Sequence, residues 1–178
     1  MRIISGTYKG KNIIAPAGLP VRPTTDFAKT GLFNILNHRV DFANTVLLDL
    51  FAGTGNISYE FLSRGCNDIT CVDADANCVK FINQTLQQMH CVKSEVIKAD
   101  VFRFLEMCHH QFSVIFADPP YEMKTYERLP ELVFKNNLLQ KDGLLIVEHA
   151  SSNKINFEEY FLETRKYGHV AFSFFQNN

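Results

Sequence analysis

Apolar residues fall along this chain in two alternating rhythms. From residue 45 onward, continuous apolar runs read as strands: TVLLDLF (45–51), DITCVD (68–73), SEVIKAD (94–100), FSVIFAD (112–118) and GLLIVEH (143–149). Between them the spacing turns helical. ISYEFLSRG (57–65) predicts a helix closed by Gly65, and ADANCVKFINQTLQQMH (74–90) sets Val79, Ile82 and Leu86 on one helical face. VFRFLEMC (101–108) is a short helix, and TYERLPELVFKNNLL (125–139) is helical but broken around Pro130. The tail, FLETRKYGHVAFSFF (161–175), reads as two strands joined near Gly168.

Continuous apolar strands separated by helices predict a mostly parallel sheet covered on both faces, here seven-stranded and Rossmann-like, with the terminal hairpin as an antiparallel edge. Ahead of it, MRIISGTYKGKNII turns around Gly6 and Gly10 like a short β-hairpin, followed by a helix. The expected organisation is an N-terminal extension, residues 1–40, on a main domain, residues 41–178.

Composition narrows the class. The 178 residues are 46% hydrophobic, enough for one full core, and no apolar run approaches membrane-spanning length. The N-terminus lacks a secretory apolar segment, so a cytoplasmic protein without membrane attachment is expected. Five cysteines with no C-x-x-C pair fit reduced thiols, and Cys108-His109-His110 lacks a second ligand pair, so no metal is expected. Net charge is only −1, yet residues 1–39 hold Arg2, Lys9, Lys11, Arg22, Lys29 and Arg39 against Asp26 alone. A basic arm on an acidic domain suits a polyanion gripped from one end.

Four predicted strands end at or near an acid: Asp49, Asp73, Asp100 and Asp118. Carboxylates gathered at strand ends are costly unless paired, so they predict a polar crevice at the carboxyl rim. The first strand also runs into Gly53-Thr-Gly55, a turn through which the backbone can approach a ligand. Asp73 lies 20 residues beyond Gly53, where a carboxylate grips a ribose diol. Asp49 beside the loop disfavours a pyrophosphate and favours a cationic or amine-bearing ligand. Asp100 suits either an adenine amino group or the N-cap of the following helix.

Asp49-x-x-x-Gly53-x-Gly55, Asp73 and Asp118-Pro119-Pro120-Tyr121 together resemble S-adenosylmethionine-dependent amino-methyltransferases. With LPVRPTTDFAKTGLFNIL added, nearly the whole chain resembles the bacterial small-subunit (16S) ribosomal RNA guanine-N2 methyltransferase family. Where that family commonly has an arginine and then an acid after the RPTTD segment, this chain has Phe27 and Lys29-Thr30-Gly31. The resemblance implies S-adenosylmethionine as cofactor, held by Asp49, the backbone of Phe51, Ala52 and Gly53, Gly55, Asp73, Ala74, Asp100 and Val101. It also implies a monomer acting on 16S ribosomal RNA in assembling or assembled small subunits. Arg2, Lys9, Lys11 and Arg22 would hold phosphates, which position RNA without reading its sequence.

The Asp118–Tyr121 stretch then has a chemical reading. An exocyclic base amine is planar, with its lone pair delocalised into the ring. Acceptors for both its N–H groups, the Asp118 carboxylate and the Pro119 carbonyl, turn the lone pair toward the methyl donor. Pro119 and Pro120 stiffen the acceptors, and Tyr121 stacks on the extruded base. Three alternatives stand: an adenine-N6 methyltransferase acting on DNA or RNA, a nicotinamide-dependent oxidoreductase, and a non-catalytic RNA-binding assembly factor.

Overall fold

The computed structural model describes residues 1–19, 25–120 and 122–177, with Lys124 described by its backbone alone. The expected Arg22 phosphate contact and the expected Tyr121 stacking contact lie outside the described residues. The helices are α1 (Asp26–Leu36), α2 (Asn56–Ser63), α3 (Ala76–Gln88), α4 (Val101–Met107) and α5 (Leu129–Lys135). The strands are β1 (Val46–Leu50), β2 (Asp68–Asp73), β3 (Lys93–Lys98), β4 (Phe112–Ala117), β5 (Leu139–Ala150), β6 (Phe161–Tyr167) and β7 (Val170–Gln176). They form one sheet in the order β3-β2-β1-β4-β5-β7-β6, parallel through β5, with β7 antiparallel to both its neighbours. This is the Rossmann-like arrangement the apolar runs predict.

The chain goes outward through β1, β2 and β3, then returns to place β4 on the other side of β1. Strand order therefore reverses between β1 and β4, and a crevice opens beyond their carboxyl ends. The central strands are apolar on both faces because helices cover both. Edge strand β6 is largely exposed and carries Glu163, Arg165 and Lys166, charges that discourage pairing with another chain.

Two elements differ from the sequence expectation. Pro130 does not break a helix: it occupies the first turn of α5, after a short 3₁₀ turn over Lys124–Arg128. There its missing N–H costs nothing and its fixed φ suits the helix. Strand β5 begins at Leu139 rather than 143, since its pairing with β4 jumps from Phe112↔Leu139 to Val114↔Leu144 and the intervening bulge hides the earlier start.

Residues 1–13 fold back as a bridged loop, with Arg2 opposite Asn12, rather than a regular two-stranded hairpin. This clip runs down α2. Thr7 N–H donates to the Ser63 carbonyl (2.7 Å), Tyr8 N–H to Ser63 Oγ (2.9 Å), and the Tyr8 hydroxyl to the Met89 carbonyl. Ile3, Ile13, Ala28, Leu32 and Phe33 join the same buried cluster as Leu47, Phe61 and Phe116.

The tightest point of the clip is Gly6. Its φ is +81°, and a Cβ there would stand 1.7 Å from the Ser63 carbonyl oxygen. Gly10 has a similar φ of +84° but open space around it. Gly6→Ala is expected to cost about 3 kcal/mol, combining left-handed strain with a backbone clash, and Gly10→Ala about 1 kcal/mol from strain alone. Thermal melts of the two variants separate the contributions. Equal shifts would mean that the clip simply moves aside.

Candidate active site

Strand β1 delivers Asp49 next to last, with its carboxylate buried at 2% exposure. The backbone then passes through three left-handed residues, Phe51 (φ 56°), Gly53 (φ 56°) and Gly55 (φ 75°), before α2 starts at Asn56. A non-glycine residue with positive φ next to a glycine turn is strain held in place by its surroundings, a feature that concentrates at ligand sites. The turn is tied to β2: Ala52 N–H donates to the Val72 carbonyl (3.1 Å), and Gly53 N–H to Asp73 Oδ2 (2.7 Å). The other Asp73 oxygen accepts from Asp75 N–H (2.9 Å), and Asp75 in turn caps α3 through the N–H groups of Asn77 and Cys78. Each Asp73 oxygen thus takes one backbone donor and keeps capacity for a further one, as a ribose grip requires.

Asp118 follows β4 directly, half-buried, with its N–H donating to the Leu50 carbonyl at 3.3 Å. Pro119 is buried and Pro120 exposed. The Pro120 carbonyl is committed to the Met123 N–H (2.9 Å), whereas the acceptor expected for a substrate amine is the Pro119 carbonyl. Register brings a third acid to this rim. Ala117 pairs with Val147, so Asp118, just past β4, stands level with Glu148 near the end of β5, and Glu148 is only 2% exposed. Glu148 lies near the end of a continuous apolar run that gives no local sign of its surroundings; the covering β7 strand, paired through Glu148↔Phe172, buries it.

Asp49, Asp118 and Glu148 therefore crowd one low-dielectric rim. Burial pushes the Asp49 carboxyl up to about 7, partly opposed by a 2.6 Å hydrogen bond from the Ser58 hydroxyl, with the charge of Asp73 adding to the rise. Asp118 is raised well above the ordinary carboxylate range, first by burial, then by the charges of Glu148 and Asp49. Acids that repel one another await a cation: a positive ligand ionises them and is held by them.

The sign for stability and for binding follows. Between the ordinary carboxylate value and about 7, folded Asp49 holds a proton that the unfolded chain has released, so stability falls as pH rises through that window. A cationic ligand prefers the ionised form, so its affinity is expected to rise up to roughly tenfold per pH unit below about 7 and to level off above about 8. Calorimetric titration across pH checks this. Asp49→Asn should flatten the profile, and an unchanged profile in that variant would remove Asp49 from the ligand's surroundings.

Asp100, the fourth acid, is exposed and caps α4 by accepting from Arg103 N–H (3.0 Å). Beside it, the rings of Phe51 and Phe102 meet edge to face with centroids 6.4 Å apart, while Val101 is buried beneath and Ala74 is exposed after β2. Among the described residues no group of three or more His, Cys, Asp or Glu side chains is arranged to hold a metal.

The basic arm divides. α2 runs from the rim toward the amino ends of the strands, and the clip descends with it. Arg2 stays at the rim end, paired with Asp26 at 3.5 Å, whereas exposed Lys9 lies at the turn beside Ser63, the far end of the domain. Lys11 sits midway, opposite Ile3 and near the Tyr8 ring. Lys29 is not surface charge: it is fully buried, donating to the Arg2 carbonyl (2.7 Å) and Asn56 Oδ1 (2.8 Å), with Glu60 Oε2 at 3.6 Å. Arg39 is engaged too, in an ion pair with Glu163.

Glu60 escaped the sequence reading although a signal existed. It stands in ISYEFLS, every residue of which is buried, so an acid there needs a buried partner. Its carboxylate accepts from Ile4 N–H (2.8 Å), Ser5 N–H (3.0 Å) and the Arg64 guanidinium (2.8 and 3.1 Å).

The profile of the family described as Conserved hypothetical protein 95 matches residues 1–176. A Bacillus subtilis protein, YlbH, provisionally named an rRNA methyltransferase, is 35% identical over 153 residues, covering 84% of this chain and 82% of that one. The Haemophilus influenzae ribosomal RNA small subunit methyltransferase D is 30% identical over 183 residues, covering 99% of this chain and 94% of its own. Among solved structures, a provisionally named methyltransferase from Escherichia coli, YhhF, superposes with a TM-score of 0.86 at 26% identity, covering 100% of this chain and 98% of that one.

Proposed function

The chain belongs to the Conserved hypothetical protein 95 family, and on that premise we propose that it methylates the exocyclic N2 amine of a guanine in small-subunit (16S) ribosomal RNA. It is an S-adenosylmethionine-dependent methyltransferase acting on ribosomal RNA. The observation that carries the reading is the convergence of Asp49, Asp118 and Glu148 on one rim beside the left-handed glycine turn. Three acids there suit a sulfonium cofactor and suit a pyrophosphate poorly, which disfavours a nicotinamide dinucleotide.

The residues fit that cofactor. Asp49 lies under the turn, the Phe51–Gly55 backbone lines it, and Asp73 keeps acceptor capacity for ribose hydroxyls. Asp100 and the Phe51–Phe102 pair would flank the adenine, with Ala74 and Val101 beside them. Bound there, the cofactor supplies an electrophilic methyl group on a positively charged sulfur.

The chain's own part is positioning. The Asp118 carboxylate and the Pro119 carbonyl accept the two N–H hydrogens of the guanine amine and turn its lone pair out of the ring plane. As the nitrogen becomes cationic, ionised Asp118 stabilises the charge, and Glu148 and Asp49 reinforce the negative potential. Tyr121 would close over the base by stacking. The substrate would be 16S ribosomal RNA in the assembling or assembled small subunit, met by a monomeric cytoplasmic enzyme whose residues 1–40 form the RNA-contacting extension. Arg2 is at the rim for an adjacent phosphate, and Lys9 and Lys11 would engage RNA that continues down the flank.

Methyl transfer from tritiated S-adenosylmethionine tests the substrate class. Unmodified small subunits and free ribosomal RNA should take label, most strongly as subunits, while duplex DNA stays blank. Label in DNA alone would replace the RNA reading with a DNA methyltransferase.

A further inference from the structure

The carboxyl rim continues past Asp118 along the sheet. Asp118 aligns with Glu148 on β5, Glu148 with Phe172 on β7, and Phe172 with Arg165 on β6. Three strand spacings of about 4.8 Å place β6 roughly 14 Å from Asp118. Strand β6 runs parallel to β4, so Tyr167, two residues beyond Arg165, projects at the same rim.

There an aromatic step is built. Gly31 of α1 lies against the Tyr167 ring, where a Cβ would stand 2.1 Å from a ring carbon. One helical turn earlier, on the same face of α1, Phe27 meets Tyr167 edge to face with centroids 5.8 Å apart. Tyr167 also packs on buried Phe172, centroids 5.9 Å apart, so its ring is held in place. Phe27 is nonetheless 69% exposed. A phenyl packed against a second ring yet largely exposed is unlike a solitary surface apolar residue, which has no defined orientation. At the head of α1, next to Phe27, Asp26 pairs with exposed Arg2.

We propose that Phe27, seated on Tyr167 at the carboxyl rim, is a stacking platform for an unpaired base of the substrate RNA a few nucleotides from the one being methylated. This rests on the methyltransferase reading of the rim and extends it. The lateral step from β4 to β6, roughly 14 Å, is a minimum span of about four stacked nucleotides at about 3.4 Å each, and Arg2 beside Asp26 offers a cation to a neighbouring phosphate. An aromatic face stacks on any base without demanding an edge pattern. The platform would therefore set how the strand lies rather than which base is chosen.

The test uses Phe27→Ala, Phe27→Leu and Phe27→Tyr in the full chain, each with a thermal melt to establish folding. Binding is read by fluorescence anisotropy with a single-stranded ten-nucleotide oligoadenylate, and transfer by KM and kcat on free small-subunit ribosomal RNA. Alanine and leucine should each weaken oligoadenylate binding roughly tenfold and raise the KM for RNA similarly, with kcat changed less than twofold, while tyrosine matches wild type. Leucine binding as well as phenylalanine would overturn the proposal, since apolar area rather than a stacking face would then suffice. Alanine without effect on oligoadenylate would overturn it equally. If wild-type protein transfers no methyl to ribosomal RNA, the methyltransferase reading fails by itself, and the oligoadenylate series still decides for or against the platform.

Discussion

Asp118→Ala abolishes methyl transfer, with kcat falling by about a thousandfold or more, while the affinity for S-adenosylmethionine stays within a few-fold of wild type. The magnitude comes from what the carboxylate does. A preorganised polar group facing charge that develops in the transition state is worth roughly a hundred- to a thousandfold when removed, and Asp118 also turns the amine's lone pair. Cofactor binding survives because Asp49, Asp73 and the Gly53–Gly55 turn come from β1 and β2, not β4. Asp118→Asn sharpens the point. It keeps an acceptor oxygen but loses the charge, so it should retain measurable turnover above that of alanine. Removing a carboxylate also relieves repulsion at the rim, so S-adenosylmethionine binding should become less pH-dependent in both variants. Near-normal turnover in Asp118→Ala would sink the acceptor role.

Glu60→Ala lowers stability by about 3–5 kcal/mol and releases the N-terminal clip. A buried ion pair adds little net stability over an apolar replacement, but losing one partner strands the other without compensation. Here Lys29, at 0% exposure, would keep its burial and lose the carboxylate that helps hold its charge. Burial already draws the Lys29 ammonium below its ordinary value, with Glu60 as the main opposing influence. Arg64 would lose the same partner but retains Asn37 and the Phe33 ring, so Lys29 bears most of the loss. Because Glu60 also accepts from Ile4 and Ser5 N–H, limited proteolysis should cut within residues 1–14 in this variant and spare them in wild type. Lys29→Met combined with Glu60→Gln should recover part of the loss, since neither charge is then stranded. A double variant no better than Glu60→Ala would show that the backbone anchor matters more than the ion pair.

Why the sheet was legible and these acids only partly so is a matter of range. Runs such as VLLDL and FSVIFA are apolar on both faces because helices cover both, and that shows within a handful of residues. Asp49 and Asp118 stood out because an acid closing a buried run is anomalous locally. Glu148 did not stand out because its burial depends on β7, which joins the sheet from 22 residues downstream (148 to 170). Lys29 looked like one more charge of a basic arm, because its pairing spans 31 residues to Glu60 and nothing nearby announces it. Lys9 and Lys11 were grouped with Arg2 by charge alone. The descent of the clip along α2 separates them along the domain, a consequence of Gly6 fitting against Ser63.

The central claim is that the rim around Asp118 presents a guanine amine to the methyl donor, and the identity of the modified nucleoside tests it most directly. Small-subunit RNA methylated by the purified protein would be digested to nucleosides and resolved by mass spectrometry against authentic standards. The account predicts 2-methylguanosine at a single site, absent with Asp118→Ala. N6-methyladenosine in its place would contradict the guanine assignment while leaving the Asp118 and Pro119 acceptors intact, and methylation on a ring carbon or a ribose hydroxyl would contradict both.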